Sequence, residues 1–347
     1  MTSPHVTVLT AVYNGEKHIA ETIRCIQAQT YTDWEYIIVD DASSDNTPCI
    51  VDEFAQQDMR IRLLRLDTNG GPFVAANQGL RQARGKYIVR IDGDDLSPRV
   101  RIAKQLAFLE ATDYRACITP WHSFDERGIM PGGKVVIPVR DKSLRWYLAF
   151  RSFASHSSLC IERSALEELG GYREERAAQD YRLLTQLSQR NWVGIIPEVL
   201  SFVRRYEYRI SKVIGGEQHR LGLLVLQDHI RAITGDTWLL ADVENLQQAA
   251  ATSLSLAEGL AAIAQWERLW CADSSLDEAD RRELAFFTAY HKWKLIHQRL
   301  KKQPGAVMLR TFSSLLAGRS SLRAGYHYFL TQYKKRTETR QPLSKVF

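Results

Sequence analysis

The sequence predicts an α/β domain built on a parallel sheet with helices on both faces, followed by a mostly α-helical region. Three observations carry that prediction. Over the first hundred residues, short apolar runs alternate with segments of helical periodicity. The links between them are short and polar, as in βα units that place strand ends and loops at one sheet edge. Beyond residue 214 the composition turns to Leu, Ala, Gln and Glu, with few strand-forming runs. The expected division is 1–214 for the α/β domain, itself split into 1–98 and 99–214, and 215–347 for the helical region, with the boundary at Ile214-Gly215-Gly216.

The elements follow in order. His5 to Val12 reads as a strand, and Glu16 to Gln29 places Ile19, Ile23 and Ile26 at helical spacing. Trp34 to Asp40 is a buried strand, after which the loop DASSDN leads to a helix with Thr47 as cap and Pro48 at its first position. Ile61 to Leu66 is the third strand. The turn Asn69-Gly70-Gly71-Pro72 then introduces a helix over Phe73 to Arg84, which Gly85 ends. Tyr87 to Ile91 is the fourth strand. Further on come a helix over Arg101 to Glu110, a strand over Ala116 to Phe124, a loop or hairpin over Gly128 to Pro138, and a strand over Ser157 to Ile161. A short helix over Ser164 to Leu169, a helix over Asp180 to Gln189 and strand over Val193 to Arg205 close the first region.

Composition narrows the class. With 45% hydrophobic and 25% charged residues in 347, the chain buries an ordinary globular core and is not disordered by default. No apolar run is long enough to span a bilayer, and a strand starts almost at once, leaving no room for a signal peptide, so the expected location is cytoplasmic. The five cysteines are odd in number and unpaired in spacing, which suggests neither a disulfide framework nor a zinc site. A net charge of +6 favours anionic partners. Its basic residues are dispersed and cluster only in the tail, which argues against nucleic acid as the partner.

The stretch YIVRIDGDDLSP, 87–98, carries the chemistry. An apolar strand ends in Asp92, Asp94 and Asp95, at the sheet edge where open α/β sheets bind ligands. Oxygen ligands suit Mg²⁺ or Mn²⁺, and an ion held by one or two carboxylates completes its shell with water and a substrate diphosphate. An Asp-rich turn before a helix capped by Ser97, with Pro98 at its start, accounts for the same residues without a ligand. Asp40 and Asp41 end the second strand at the same edge. Asp41 is placed to accept from a base N–H and Asp92 from a ribose hydroxyl, while an Asx turn with capping by Ser44, Asp45 or Thr47 is the plainer account of that loop. Asp180 opens a helix, where the dipole keeps a carboxylate ionised and suited to take a proton, or where it simply caps. His156, Trp121, Trp146 and Tyr147 are candidates for ligand contact whose commoner role is structural.

Taken together, TVLTAVYNGEKHIAETIRCIQAQTYTDWEYIIVDDASSDNT, DTNGGPFVAANQGLRQARGKYIVRIDGDD and SALEELGGYREERAAQDYRLLTQL resemble the family 2 inverting glycosyltransferases of the GT-A fold, over roughly residues 5–210. The resemblance implies sugar transfer from a nucleotide diphosphate donor, usually a UDP-sugar, with Mg²⁺ or Mn²⁺. It makes 1–98 the nucleotide-binding half and 99–214 the acceptor-side half. Carried over by position, Ala11 and Tyr13 line the nucleoside pocket together with Asp40, Asp41 holds the base, Asp92 contacts the ribose, Asp94 binds the metal and Asp180 is the catalytic base. Asp95, His156, Gln179 and Tyr206 are assigned to acceptor or diphosphate contacts. Four positions depart from the family pattern: Ala11 stands for Pro, Ala76 for Arg, Gln179 for Glu, and Tyr206 for a His that follows a strand-borne Arg.

The expected function is therefore transfer of a sugar to a saccharide or lipid-linked saccharide in surface or secreted glycan assembly. Gln179 and Tyr206 motivate the alternative, a non-catalytic sugar-nucleotide-binding subunit, against which the presence of both Asp94 and Asp180 argues. A nucleotidyltransferase would carry a Gly-rich basic loop where this chain reads Tyr13-Asn14-Gly15. Cations beside aromatics in His291-Lys292-Trp293-Lys294, at Arg299–Lys302, and at Lys334, Lys335, Arg336 and Arg340 suggest peripheral contact with the inner face of a membrane.

Overall fold

The computed structural model describes residues 3–135, 140–150, 154–173, 178–206, 215–251 and 255–300, together with Leu343. The chain runs β1 (Val6–Val12), α1 (Ile19–Gln27), β2 (Trp34–Asp40), α2 (Thr47–Gln57), β3 (Ile61–Arg65), α3 (Pro72–Gln82), β4 (Tyr87–Arg90), α4 (Arg101–Glu110), β5 (Ala116–Ile118), β6 (Trp121–Asp125), β7 (Gly128–Val135) and α5 (Asp141–Tyr147). A 3₁₀ turn (His156–Ser158) then leads to β8 (Cys160–Glu162), α6 (Arg163–Glu168), α7 (Gln179–Gln189), β9 (Val193–Ile195) and β10 (Ser201–Arg204). Four helices follow: α8 (Gly215–Thr234), α9 (Leu240–Ala251), α10 (Leu256–Ala272) and α11 (Glu278–Leu300).

The main sheet has the order β3-β2-β1-β4-β8-β5-β9. Strands β1 to β4 are parallel, as expected, because each returns through a helix. Strand β8 departs from the expectation: it lies antiparallel between β4 and β5. Residues alternate between the two faces of β1. Val6, Val8 and Val12 join one apolar cluster with α1, α2 and α4, while Leu9 joins the other with α3 and α5–α7. After β3 the chain crosses to the far side of β1, so the strand order reverses between β1 and β4. The carboxyl ends of those two strands therefore flank a crevice, the topological switch point where such sheets take ligands.

Several expected elements differ in instructive ways. The runs expected as single strands over 116–124 and 193–205 each break in two, and β6 and β10 join β7 in a separate three-stranded sheet, order β10-β6-β7. Of the segment expected as a loop or hairpin over 128–138, residues 128–135 form β7, which pairs antiparallel with β6, and 136–138 lie outside the described residues. Helix α4 begins three residues after Pro98, because Leu96 exchanges backbone hydrogen bonds with Phe202 (2.9 and 2.8 Å) and is held as a bridge to β10. Ser97 does not cap the helix; its N–H donates to Cys25 Sγ. Thr47 is the first helical residue of α2 and not its cap, and Asp45 Oδ1 accepts its N–H at 2.9 Å. Gly85 serves close approach and not helix termination, since a Cβ there would lie 2.3 Å from the backbone N of Thr7.

The helical region packs on the sheet domain through α5. Trp146, Phe150, Trp266, Trp270 and Phe287 share one apolar cluster, and Trp146 Nε1 donates to Asp273 at 3.0 Å beside the Arg145–Asp273 ion pair. Arg140 pairs with the buried Asp280. Trp146 and Tyr147 are thus core residues and not sugar platforms. The same packing changes the reading of the basic segment near 291: His291 is buried against Phe150 and Phe287, and Lys292 pairs with Glu267. The cations at 301–302 and 334–340 lie outside the described residues. Among the described residues no helix is long and apolar enough to cross a membrane.

Candidate active site

Loops after β1, β2 and β4 build the crevice. The first two are stitched together: Ser43 Oγ accepts from Asn14 N (2.8 Å), Asn14 Oδ1 accepts from Ser44 N (2.9 Å), and Asp45 Oδ2 accepts from Glu16 N (3.0 Å). Ala11 is half-buried at the end of β1 and Tyr13 is exposed just beyond it, 44% accessible. Asp40 is buried, accepts from Ser43 N through Oδ2, and keeps Oδ1 without a partner among the described residues. Asp41 is buried beneath the turn before α3. Its Oδ1 accepts from Gly70 N (2.8 Å) and its Oδ2 from Gly71 N (2.9 Å), and Gly71 has a φ of +86° that favours glycine. A base N–H would join these two bonds through the remaining lone pairs.

The three carboxylates after β4 have different surroundings. Asp92 is 37% exposed, with Oδ1 at 3.5 Å from Arg90 Nη2 and 3.9 Å from His156 Nδ1. Asp95 is fully buried: Oδ2 accepts from Ser157 Oγ (2.6 Å) and Oδ1 from Arg204 N (3.0 Å). Both oxygens thus hold the floor of the site together. Asp94 is half-buried, and its carboxylate has no hydrogen bond or ion pair among the described residues. Its backbone oxygen is held by Arg204 Nε at 2.8 Å, and Arg204 reaches on to Glu21.

Asp180 lies in the first turn of α7, entered through Ala178 in a left-handed conformation (φ +63°). It shares a narrow, mostly apolar pocket with His156, Ile118, Leu159, Leu183 and Leu187. Burial lifts its carboxyl above the usual range, and the N–H groups of Tyr181 and of Asp180 itself partly offset this. His156 is pushed well below the usual imidazole value by burial and by the Arg90 guanidinium, so it is neutral. It thus stands between the Asp92 side and the Asp180 side. Gln179 precedes Asp180 as the first residue of α7. Tyr206 is 40% exposed with its ring 5.4 Å from that of His18, whose imidazole is lowered by burial and Arg204 against the opposing pull of Asp94. Glu174 and Glu175, the carboxylates that precede Asp180 in the chain, lie outside the described residues.

Two important residues escaped the sequence reading: Arg90, whose guanidinium is 2% exposed, and Tyr172. The available signal was a charge inside the otherwise apolar run YIVRI, which a buried strand tolerates only with partners.

Among the described residues no three His, Cys, Asp or Glu side chains gather to hold an ion by protein alone. The uncommitted carboxylate of Asp94 fits a different kind of site, in which one protein oxygen ligand is completed by water and diphosphate.

The sequence profile described as Glycosyl transferase family 2 matches residues 7–170, from the start of β1 to the end of the segment after α6. Residues 7–170 are thus similar to family 2 glycosyl transferases. The same part of the chain is similar to proteins of several bacteria. EpsE of Bacillus subtilis (strain 168), a glycosyltransferase by provisional name, is 37% identical over 175 residues, 50% of this chain and 62% of EpsE. Glycosyltransferase GlyG of Streptococcus pneumoniae serotype 4 is 30% identical over 164 residues, 47% of this chain and 48% of GlyG. The chain thus spans less than two thirds of the length of either relative. Among solved structures, S. aureus TarS 1-349 in complex with UDP superposes with a TM-score of 0.54 at 16% identity, covering 96% of this chain and 93% of that one. At that identity the likeness establishes the GT-A type of fold, helical C-terminal region included.

Proposed function

We propose that the chain is an inverting glycosyltransferase that moves a sugar from a UDP-sugar to a hydroxyl acceptor during glycan assembly. The observation that carries the reading is the convergence of Asp92 and the uncommitted Asp94 at the switch point with Asp180 in the adjoining pocket, bridged by His156. The UDP and UDP-GlcNAc complexes of TarS, which shares the fold, support a uridine donor.

In this reading Asp41 and the loops after β1 and β2 hold the nucleoside, and Asp92 accepts from the ribose. Asp94 would hold Mg²⁺ or Mn²⁺, which when bound supplies neutralisation of the charge growing on the departing diphosphate. Asp180 removes the acceptor hydroxyl proton as that oxygen attacks the anomeric carbon from the face opposite the leaving group. A single displacement inverts the anomer. Burial of Asp180 raises its basicity, which suits the role, and general-base help contributes about 10²- to 10⁴-fold. The acceptor in this reading is a saccharide or lipid-linked saccharide.

The test is a panel of nucleotide sugars with Mn²⁺, read by thermal shift and by slow donor hydrolysis. A clear preference for a UDP-sugar is expected, and Asp94→Ala should abolish the metal-dependent part of UDP binding in calorimetry. No response to any nucleotide sugar would overturn the reading.

A further inference from the structure

We propose that Arg90, His156 and Tyr172 form a buried clamp that fixes Asp92 as acceptor for a ribose hydroxyl and so makes the site selective for ribonucleotide over deoxyribonucleotide donors. The inference rests on the reading of Asp92 as the ribose carboxylate and adds the residues that make it selective.

Arg90 sits on β4 at a position where its neighbours are apolar and its own side chain is almost wholly enclosed. An enclosed guanidinium is retained only where its N–H groups are spoken for. Here Nη1 donates to the backbone oxygen of Leu9 (2.9 Å), Nε donates to His156 Nε2 (3.3 Å), and Nη2 stands 3.5 Å from Asp92 Oδ1. The guanidinium also lies over the Tyr172 ring, 5.7 Å from its centroid.

The histidine ring is gripped from two sides. Nε2 lies 3.3 Å from Arg90 Nε and 3.0 Å from the Tyr172 hydroxyl. Arg90 Nη2 stands 3.5 Å from Nδ1, so the guanidinium spans both ring nitrogens and, with the Tyr172 hydroxyl, fixes the orientation of the ring. Nδ1 is the nitrogen that faces Asp92 Oδ1, at 3.9 Å. Burial and the adjacent arginine both disfavour a second proton, which keeps this arrangement through the neutral range.

The backbone is fixed by the same segment. Ser157, next to His156, accepts from Asp92 N (2.9 Å) and donates to Asp95 Oδ2 (2.6 Å). Asp92 is therefore held at its main chain by Ser157 and turned by Arg90 and His156, while over a third of its side chain remains open to the crevice. A carboxylate held in this way is organised before the ligand arrives, so little is lost in ordering it on binding. A ligand that lacks the matching hydroxyl forfeits a hydrogen bond to a charged group already aimed at it. Arg90, His156 and Tyr172 act through Asp92 and are positioning residues.

Calorimetry with UDP, 2′-deoxy-UDP and 3′-deoxy-UDP in the presence of Mn²⁺ tests the clamp on the full-length chain. The wild-type protein should bind UDP about tenfold or more tighter than at least one deoxy form, the loss expected for a hydrogen bond to a charged group. In Arg90→Lys and His156→Asn that ratio should shrink about fivefold, with the penalty falling on UDP and sparing the analogue. Tyr172→Phe removes one hydroxyl, preserves the ring, and should shrink the ratio about twofold even if Arg90→Lys fails to fold. Equal penalties on UDP and its deoxy forms would mean the residues serve stability alone and would overturn the clamp, as would a wild-type protein indifferent to both ribose hydroxyls. If the wild-type protein binds no UDP at all, the donor reading fails and the clamp fails with it.

Discussion

Arg204 Nε donates to the backbone oxygen of Asp94 at 2.8 Å while its own N–H holds Asp95 Oδ1 at 3.0 Å. One residue of the small sheet thereby fixes the loop that carries the proposed metal ligand. Because the guanidinium is buried and lies over the Phe124 ring, its loss removes charge-assisted bonds that no water replaces in place. Arg204→Met should cost about 2 kcal/mol in urea unfolding. It should also weaken Mn²⁺-dependent UDP binding while leaving metal-free UDP binding within about twofold; an equal loss in both would show that Arg204 does not act through Asp94.

Asp180 is the test of mechanism. Asp180→Asn keeps shape and the bond from Tyr181 N but removes basicity, so transfer should fall by about 10² or more with donor affinity nearly unchanged. Near-normal transfer would move the base elsewhere.

The same carboxyl has a signature in stability. Its folded pKa lies above the unfolded value, so the folded state binds the proton more tightly, and stability falls as pH rises from the ordinary carboxylate range through the raised folded value. At neutral pH the asparagine variant should therefore unfold at higher denaturant than the wild type, with the gap closing in acid. A variant less stable than wild type at every pH would contradict the raised pKa of this carboxyl.

His229 on α8 predicts the opposite slope. Its Nε2 donates to the backbone oxygen of Arg145 (2.7 Å) and its Nδ1 accepts from Gln189 (3.0 Å), and burial pushes its pKa down to about 4. A depressed histidine is charged more readily when unfolded, so stability present above about pH 6.5 should be lost as pH falls toward 4, by roughly 3 kcal/mol in total. His229→Gln should flatten that part of the pH–stability curve, measured by chemical unfolding at fixed ionic strength.

Peripheral membrane contact is the last prediction. With His291 and Lys292 engaged in the helical core, the cations left for a lipid surface are those after residue 298, each adding about 1 kcal/mol on an anionic leaflet. Flotation should favour anionic over neutral liposomes in a salt-sensitive way, and a chain ending near Gly305 should lose most of that preference. Retention of full binding by the shortened chain would move the contact elsewhere.

The alternation of apolar runs with helical periodicity was enough to establish β1 to β4 and their helices, because each of those strands is continuous in sequence and β1, β2 and β4 are buried on both faces. The positions of Asp92, Asp94 and Asp180 were legible for the same reason: each lies at the end of an element whose boundary composition marks. What tertiary structure decided is how each carboxylate is used. Asp94 and Asp95 are neighbours of identical chemistry, yet Arg204 and Ser157, 109 and 62 residues away in the chain from Asp95, consume one and leave the other uncommitted. The same holds for the strands over 116–124 and 193–205, which periodicity reads as single runs and which split between two sheets because β6 and β10 pair with each other. Hydrogen bonding across long sequence separations, and the burial that makes it obligatory, leaves no local pattern in the chain.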